Sequence, residues 1–101
     1  WSVYRHPLQT ANPTATVSQA VDDDIVRFTG TGTNQYDLLP AASWERKVVR
    51  VRNDQTSGTL NLDPNGAELI NGVSGGPLAV AAGSTAEIWT DGTAIYVSFA
   101  L

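Results

Sequence analysis

Asp63-Pro64-Asn65-Gly66-Ala67-Glu68-Leu69-Ile70-Asn71-Gly72 is the stretch whose reading decides the fold. In Asp63-Pro64-Asn65-Gly66 the proline presets φ at the second position of a turn, and Gly66 after Asn65 permits a positive φ. Asn71-Gly72 repeats the turn dipeptide, which pins Ala67 to Ile70 as a very short strand and rules out a helix. Outward from it, Gly58 to Asp63 and Pro77 to Ala82 alternate apolar with polar or small residues, as flanking strands do. The same alternation extends in both directions. Thr14 to Ala20 is a first strand, and Asp24 to Thr29 a second with Val26 and Phe28 on one face. Gln35 to Leu39 is a third, with Tyr36 and Leu38 inward, stopped by Pro40. Pro40 to Arg46 is the one helical candidate, a single turn.

Lys47 to Arg52 places Val49 and Val51 on one side of a strand and Val48, Arg50 and Arg52 on the other, and Leu60 and Leu62 point inward from the next. Leu78 and Val80 share a face. Thr85 to Thr90 and Ala94 to Leu101 flank Asp91-Gly92, a two-residue hairpin signal. Ile88, Ile95, Val97, Phe99 and Leu101 then face the core, and Trp89 and Tyr96 project from the opposite surface of the hairpin. The spacing predicts an all-β fold: an antiparallel β-sandwich or jelly-roll-like domain of about eight short strands over residues 14–101. Residues 1–13 hold two prolines without sustained periodicity and read as an extended N-terminal arm. Trp1, Val3, Tyr4 and Leu8 make that arm apolar enough to dock on its own domain or a neighbour.

The 101 residues fit one domain with one modest core. The absence of cysteine excludes disulfides, thiolate metal sites and a cysteine nucleophile. A net charge of −4, with the bases gathered mostly in Arg46 to Arg52, argues against nucleic acid as a partner. No apolar run reaches the ~20 residues of a membrane span, and no signal peptide is read. The start at Trp1 and the lack of methionine point to a processed or excerpted segment of something longer.

The chemistry-bearing residues are few. His6, the only histidine, precedes Pro7 in the arm, where a Ser-His-Asp arrangement has no packed site to hold it. Asp63 with Glu68 or Asp91 is the remaining pair for glycoside hydrolysis, but turn chemistry already calls for aspartate at Asp63 and Asp91. Asp22 to Asp24 lack the alternation and glycine of a helix-loop-helix calcium site and read as a solvated strand-entry turn. Gly30-x-Gly32 and Gly75-Gly76 lead into no phosphate-binding helix and are turns. No catalytic residue, cofactor or metal site is assigned. Trp44, Trp89 and Tyr96 are candidates for stacking on sugar rings, or for packing within the domain or between subunits. Arg46, Arg50 and Arg52 share a strand face that could attract acidic sugars or a partner's carboxylates, or could guard a solvent-facing strand.

Several of these segments together resemble the small β module of bacteriophage virion proteins, found in tail fibres, tail spikes and head fibres or decoration proteins. The resemblance is carried by Asp23-Asp24-x-Val26, Asp37-Leu-Leu-Pro40, Arg46-Lys-Val-Val-Arg-Val-Arg-Asn53, Gly58-Thr-Leu-Asn-Leu-Asp-Pro64, Asn65 to Gly72, and Thr90-Asp-Gly-Thr93 before Ile95-Tyr-Val97. It spans roughly residues 14 to 99, with Glu45-Arg46 where the module usually has Gly-Arg, and Tyr96 as the aromatic after the Asp-Gly-Thr turn. The resemblance implies a non-enzymatic structural protein of the virion, commonly homotrimeric, whose arm attaches it to a capsid, a tail or a preceding fibre domain. A carbohydrate-binding module holding a host surface glycan is the alternative.

Overall fold

Alternation of burial along each strand leaves one face apolar, and two such faces close over one core. In the computed structural model, which describes residues 6–10, 14–20, 23–29, 32–45, 47–74 and 76–100, that closure takes the form of two packed β-sheets. The strands are β1 (His6–Thr10), β2 (Thr14–Ser18), β3 (Ile25–Thr29), β4 (Thr33–Asp37), β5 (Val49–Asn53), β6 (Leu60–Asp63), β7 (Leu78–Val80), β8 (Thr85–Thr90) and β9 (Ile95–Ala100). The first sheet has the order β1-β3-β5-β8-β9 and the second β2-β4-β6-β7.

The antiparallel expectation holds only at β5–β8, β8–β9 and β6–β7. The pairs β1–β3, β2–β4, β3–β5 and β4–β6 are parallel, so both sheets are mixed. The cause is the path of the chain. From β1 to β6 each connection crosses to the other sheet, so the chain regains a sheet only after going out and back, and the new strand runs the same way as the last. Among the described strands, consecutive ones pair within a sheet at β6–β7 and β8–β9, and both pairs are antiparallel. Part of the expected arm belongs to this path as well, because His6–Thr10 is an edge strand of the first sheet, paired with β3 through an irregularity between His6 and Gln9.

Most side chains predicted to face inward do so, and Leu101 lies outside the described residues. Val26, Phe28, Tyr36, Val49, Val51, Leu60, Leu62, Val80, Ile88 and Ile95 are fully buried, and Leu38 and Val97 nearly so. Removing each large aliphatic of this set from water is worth about 1.5–3 kcal/mol. Phe28 and Tyr36 meet edge to face across the sheets, with ring centroids 6.0 Å apart. Phe99 shares the inward alternation of β9 yet is 46% exposed, because β9 is an end strand.

Two polar corners hold the crossings. At one, the Asn34 amide donates to Gln55 Oε1 (2.6 Å), Gln55 to Asn53 Oδ1 (2.9 Å), and Asn53 to the carbonyl of Val80 (2.8 Å). All three side chains are buried. At the other, Asp23 Oδ2 accepts from the Ala20 amide (2.9 Å) and the Tyr36 hydroxyl (2.8 Å), while Gln19 Oε1 accepts from the Leu39 amide (2.8 Å). Asp23 is therefore buried and hydrogen-bonded, which corrects the solvated turn expected there. Asp24, beside it, pairs with Lys47 at 2.9 Å. Pro40 opens the expected helical turn, a 3-10 turn over Ala41–Ser43.

The decisive stretch turns twice, with one difference. The first turn closes between Asn65 and Glu68 (3.1 Å) with Gly66 at φ 57°, two residues later than Asp63-Pro64-Asn65-Gly66 predicts. Asn71 (φ 53°) and Gly72 (φ 79°) centre the second, and Ile70 and Val73 exchange both backbone bonds across it. Ala67 to Ile70 is not a strand. Of these four only Ile70 makes bridges, to Val73 and, through Leu69 O and Asn71 N, to Ile95 at the edge of β9.

Candidate interaction face

The outer face of the first sheet gathers four of the expected residues. Strand register sets Arg50 opposite Glu87 and Trp89 opposite Tyr96. The two rings stack on each other with centroids 4.5 Å apart and planes 22° apart, and Trp89 is 42% exposed. Val48, 46% exposed, precedes β5 on the same outward alternation.

Each described arginine on this face already meets an acid of its own chain. Arg50 Nε lies 2.9 Å from Glu87 Oε2. Asp54 bridges Arg27 (2.6 Å) and Arg52 (3.4 Å), and Arg52 also donates to the Gly83 carbonyl (2.8 Å) and to Thr85 Oγ1 (3.2 Å). Exposed pairs of this kind contribute about 0–1 kcal/mol each. Their effect here is to occupy the guanidinium groups, so the face is not an open cationic patch for acidic sugars.

Trp44 does not belong to it. Its ring is buried in the core, with the indole N–H donating to the Leu39 carbonyl at 3.0 Å. An indole can be buried whenever its single donor finds an acceptor, and the turn at Pro40 supplies one. Arg46, Trp1, Val3 and Tyr4 lie outside the described residues. Leu8 falls in β1, where the structure gives the backbone path alone.

The β8–β9 turn bounds the aromatic pair. It is a four-residue loop, Asp91 to Ala94, rather than the two-residue turn that Asp91-Gly92 predicts. Asp91 Oδ1 accepts from the amides of Thr93 and Ala94 (both 2.9 Å), and the Tyr96 hydroxyl donates to Asp91 Oδ2 (3.2 Å). The Ala94 and Thr93 amides, then Tyr96, hold the Asp91 carboxyl below its usual range, and the Asp91 charge raises Tyr96. Asp54 is lowered chiefly by its hydrogen bond from Arg27. Folding therefore favours the ionised forms of Asp54 and Asp91. Their stabilisation is complete above the unfolded value of 3.8 and is lost as pH falls through the lower folded values. Urea titrations should show Asp91→Ala less stable than the parent chain at pH 7, with the gap narrowing at pH 2; a gap that widened in acid would contradict this.

The carboxylates considered for glycoside hydrolysis have separate structural partners. Asp63 accepts from Gln35 (3.3 Å) on the second sheet, and both oxygens of Glu68 accept from the Ala41 amide (3.1 Å). Among the described residues, no group of three or more His, Asp or Glu is placed to hold a metal ion.

The edge of β9 is what the sequence reading missed. The outward backbone groups of Ile95 bond Leu69 O (3.0 Å) and Asn71 N (2.9 Å). Those of Val97 bond the Asn71 side chain, which donates through Nδ2 (3.0 Å) and accepts through Oδ1 (2.9 Å), so one amide stands in for a neighbouring strand. Of the five large exposed hydrophobics among the described residues, Phe99 lies on β9, Trp89 on β8 opposite Tyr96, Leu69 in the segment bonded to Ile95, and Val73 across the turn from Ile70. A groove of about 200 Å³, lined by Ile70, Asn71, Val73, Gly76, Pro77 and Leu78, adjoins them. The signal available in sequence was the run Ala94 to Leu101, which contains no charge.

No protein-family model, curated protein or solved structure matches the chain.

Proposed function

We propose that the chain is a non-enzymatic structural module of a bacteriophage virion, a head fibre, capsid decoration or tail-fibre component, that assembles as a homotrimer. Its N-terminal segment, with Trp1, Val3, Tyr4 and Leu8, attaches it to the capsid, the tail or a preceding fibre domain. The observation that carries this reading is the concentration of exposed apolar side chains around β9, an end strand without charge. Scattered hydrophobics need no partner, but a cluster beside a sheet edge does. A small domain gains stability by sharing such surface in a closed symmetric assembly.

Sedimentation equilibrium of residues 1–101 should return three times the chain mass, and antibodies raised against the chain should label the phage particle. A monomer at every concentration, or unlabelled particles, would remove this reading. The alternative, a carbohydrate-binding module for a host surface glycan, is favoured by one observation, the exposed Trp89–Tyr96 pair. Trp89→Ala separates the two: loss of binding to a glycan array with the assembly state unchanged supports the sugar site.

A further inference from the structure

Asn65-Gly66, Asn71-Gly72 and Asp91-Gly92 each place a carbonyl-bearing side chain directly before a glycine. Such a pair carries its own chemistry. Glycine leaves its backbone nitrogen unshielded, and that nitrogen can attack the side-chain Cγ of the residue before it. From asparagine, a bond forms between the glycine nitrogen and Cγ, the bond from Cγ to Nδ2 breaks, and ammonia leaves. Water then opens the cyclic imide at one carbonyl to give aspartate, or at the other to give isoaspartate. Water is the one co-reactant, and nothing is oxidised or reduced. In a folded chain the step requires a side chain free to swing onto the glycine nitrogen.

The three pairs differ in that freedom. At Asp91 both reacting groups are occupied: the carboxylate accepts from Thr93, Ala94 and Tyr96, and the Gly92 nitrogen donates to Thr90 Oγ1 at 2.9 Å. At Asn71 the carboxamide is held at both atoms by Val97, so the Nδ2 that would leave as ammonia is fixed to a carbonyl. Asn65 has no such hold. Asn65 and Gly66 are both exposed, and only the Asn65 carbonyl is engaged, by the Glu68 amide at 3.1 Å. Among the described residues no hydrogen bond reaches the Asn65 side chain or the Gly66 nitrogen, and the space over the Gly66 α-carbon is open.

We propose that Asn65 is a site of spontaneous deamidation in the folded protein, and that the two bonds to Val97 keep Asn71 from the same reaction. The difference protects the edge of β9. An aspartate in place of Asn71 would have no hydrogen to give the Val97 carbonyl and would set a negative charge against it, so the edge would open at Val97. The same conversion at Asn65 adds a charge to an exposed turn and leaves β9 closed. The bonds that make Asn71 stand in for a neighbouring strand are therefore also the bonds that preserve it.

The test incubates the full chain in mildly alkaline buffer, folded and in urea, and follows each asparagine by peptide mapping with mass spectrometry. In urea both Asn-Gly pairs should lose ammonia at similar rates. In the folded chain Asn65 should react close to its unfolded rate, with isoaspartate among the products, while Asn71 reacts at least about tenfold more slowly than in urea because both bonds to Val97 must break first. Asn65→Gln should remove the folded-state product and leave the reaction of Asn71 in urea unchanged. Hydrogen exchange of the Val97 amide, followed by NMR, gives the local readout: it should be protected for as long as Asn71 is intact. Asn65 reacting no faster than Asn71 in the folded chain overturns the site. Slow reaction of Asn71 beside a freely exchanging Val97 amide overturns the protection by Val97.

Discussion

Gly58→Ala should lower stability by about 3 kcal/mol or more, the largest loss expected from any single methyl group in this chain. Gly58 has φ 109°, a conformation that side chains rarely adopt. A Cβ built there would lie 2.1 Å from Gly32 O, 2.8 Å from its carbonyl carbon and 2.9 Å from its nitrogen. These are backbone atoms of the segment entering β4, so no side-chain rotation relieves the overlap. Two corners of successive crossings meet at this point, and only hydrogen on the Gly58 α-carbon lets them approach. Gly72→Ala is the control, since Gly72 also has positive φ but has nothing within 4 Å of the added carbon; it should cost only about 1 kcal/mol. Urea midpoints of the two variants measure the difference, and equal losses would mean that contact between corners contributes nothing.

Asn53→Ala should cost about 3 kcal/mol, because one side chain holds together groups from three parts of the fold. Its Nδ2 donates to the carbonyls of Val80 (2.8 Å) and Gly58 (3.3 Å), and its Oδ1 accepts from Gln55 Nε2 (2.9 Å). Asn53 is fully buried, and Gln55 in turn accepts from Asn34. Truncation strands the Val80 carbonyl and the Gln55 amide away from water, and each orphaned buried group costs about 1–3 kcal/mol. Asn61→Ala, on the half-buried outer side of β6, should change stability by no more than about 0.5 kcal/mol. Thermal or urea unfolding of the pair tests this. If both variants lost the same small amount, the buried chain of amides would not be holding the corner.

Strand positions were legible because burial of one face imposes a period of two, and that period is written in Val26 and Phe28, Val49 and Val51, and Leu60 and Leu62. Direction was not legible. Alternation says which face a residue takes and nothing about the neighbour its backbone bonds, so four parallel pairs read as members of an antiparallel set. β1 was hidden for a different reason: its proline and its irregular pairing between His6 and Gln9 erase the alternation that marks the other strands. In the candidate face, Trp89, Tyr96, Arg50 and Arg52 followed from periodicity and fell where it put them. Trp44 did not, since an aromatic outside a strand has no phase to read, and its burial depends on one carbonyl that only the folded turn presents. Asp23 failed likewise, its partners Ala20 and Tyr36 being brought to it by a crossing.

The out-and-back path has a consequence for the order in which the chain can fold. Ile25 bonds alongside Arg50, Asn34 alongside Leu60, and β8 alongside β5, so from β3 onward each new strand of a sheet docks on a template formed earlier in the sequence. Each parallel pair encloses an intervening strand of the other sheet, so these are non-local contacts whose closure cost is met before they form. A ribosome delivering this chain from its N-terminus would release its layers in the order in which they stack, with the β8–β9 hairpin emerging last to shut the first sheet.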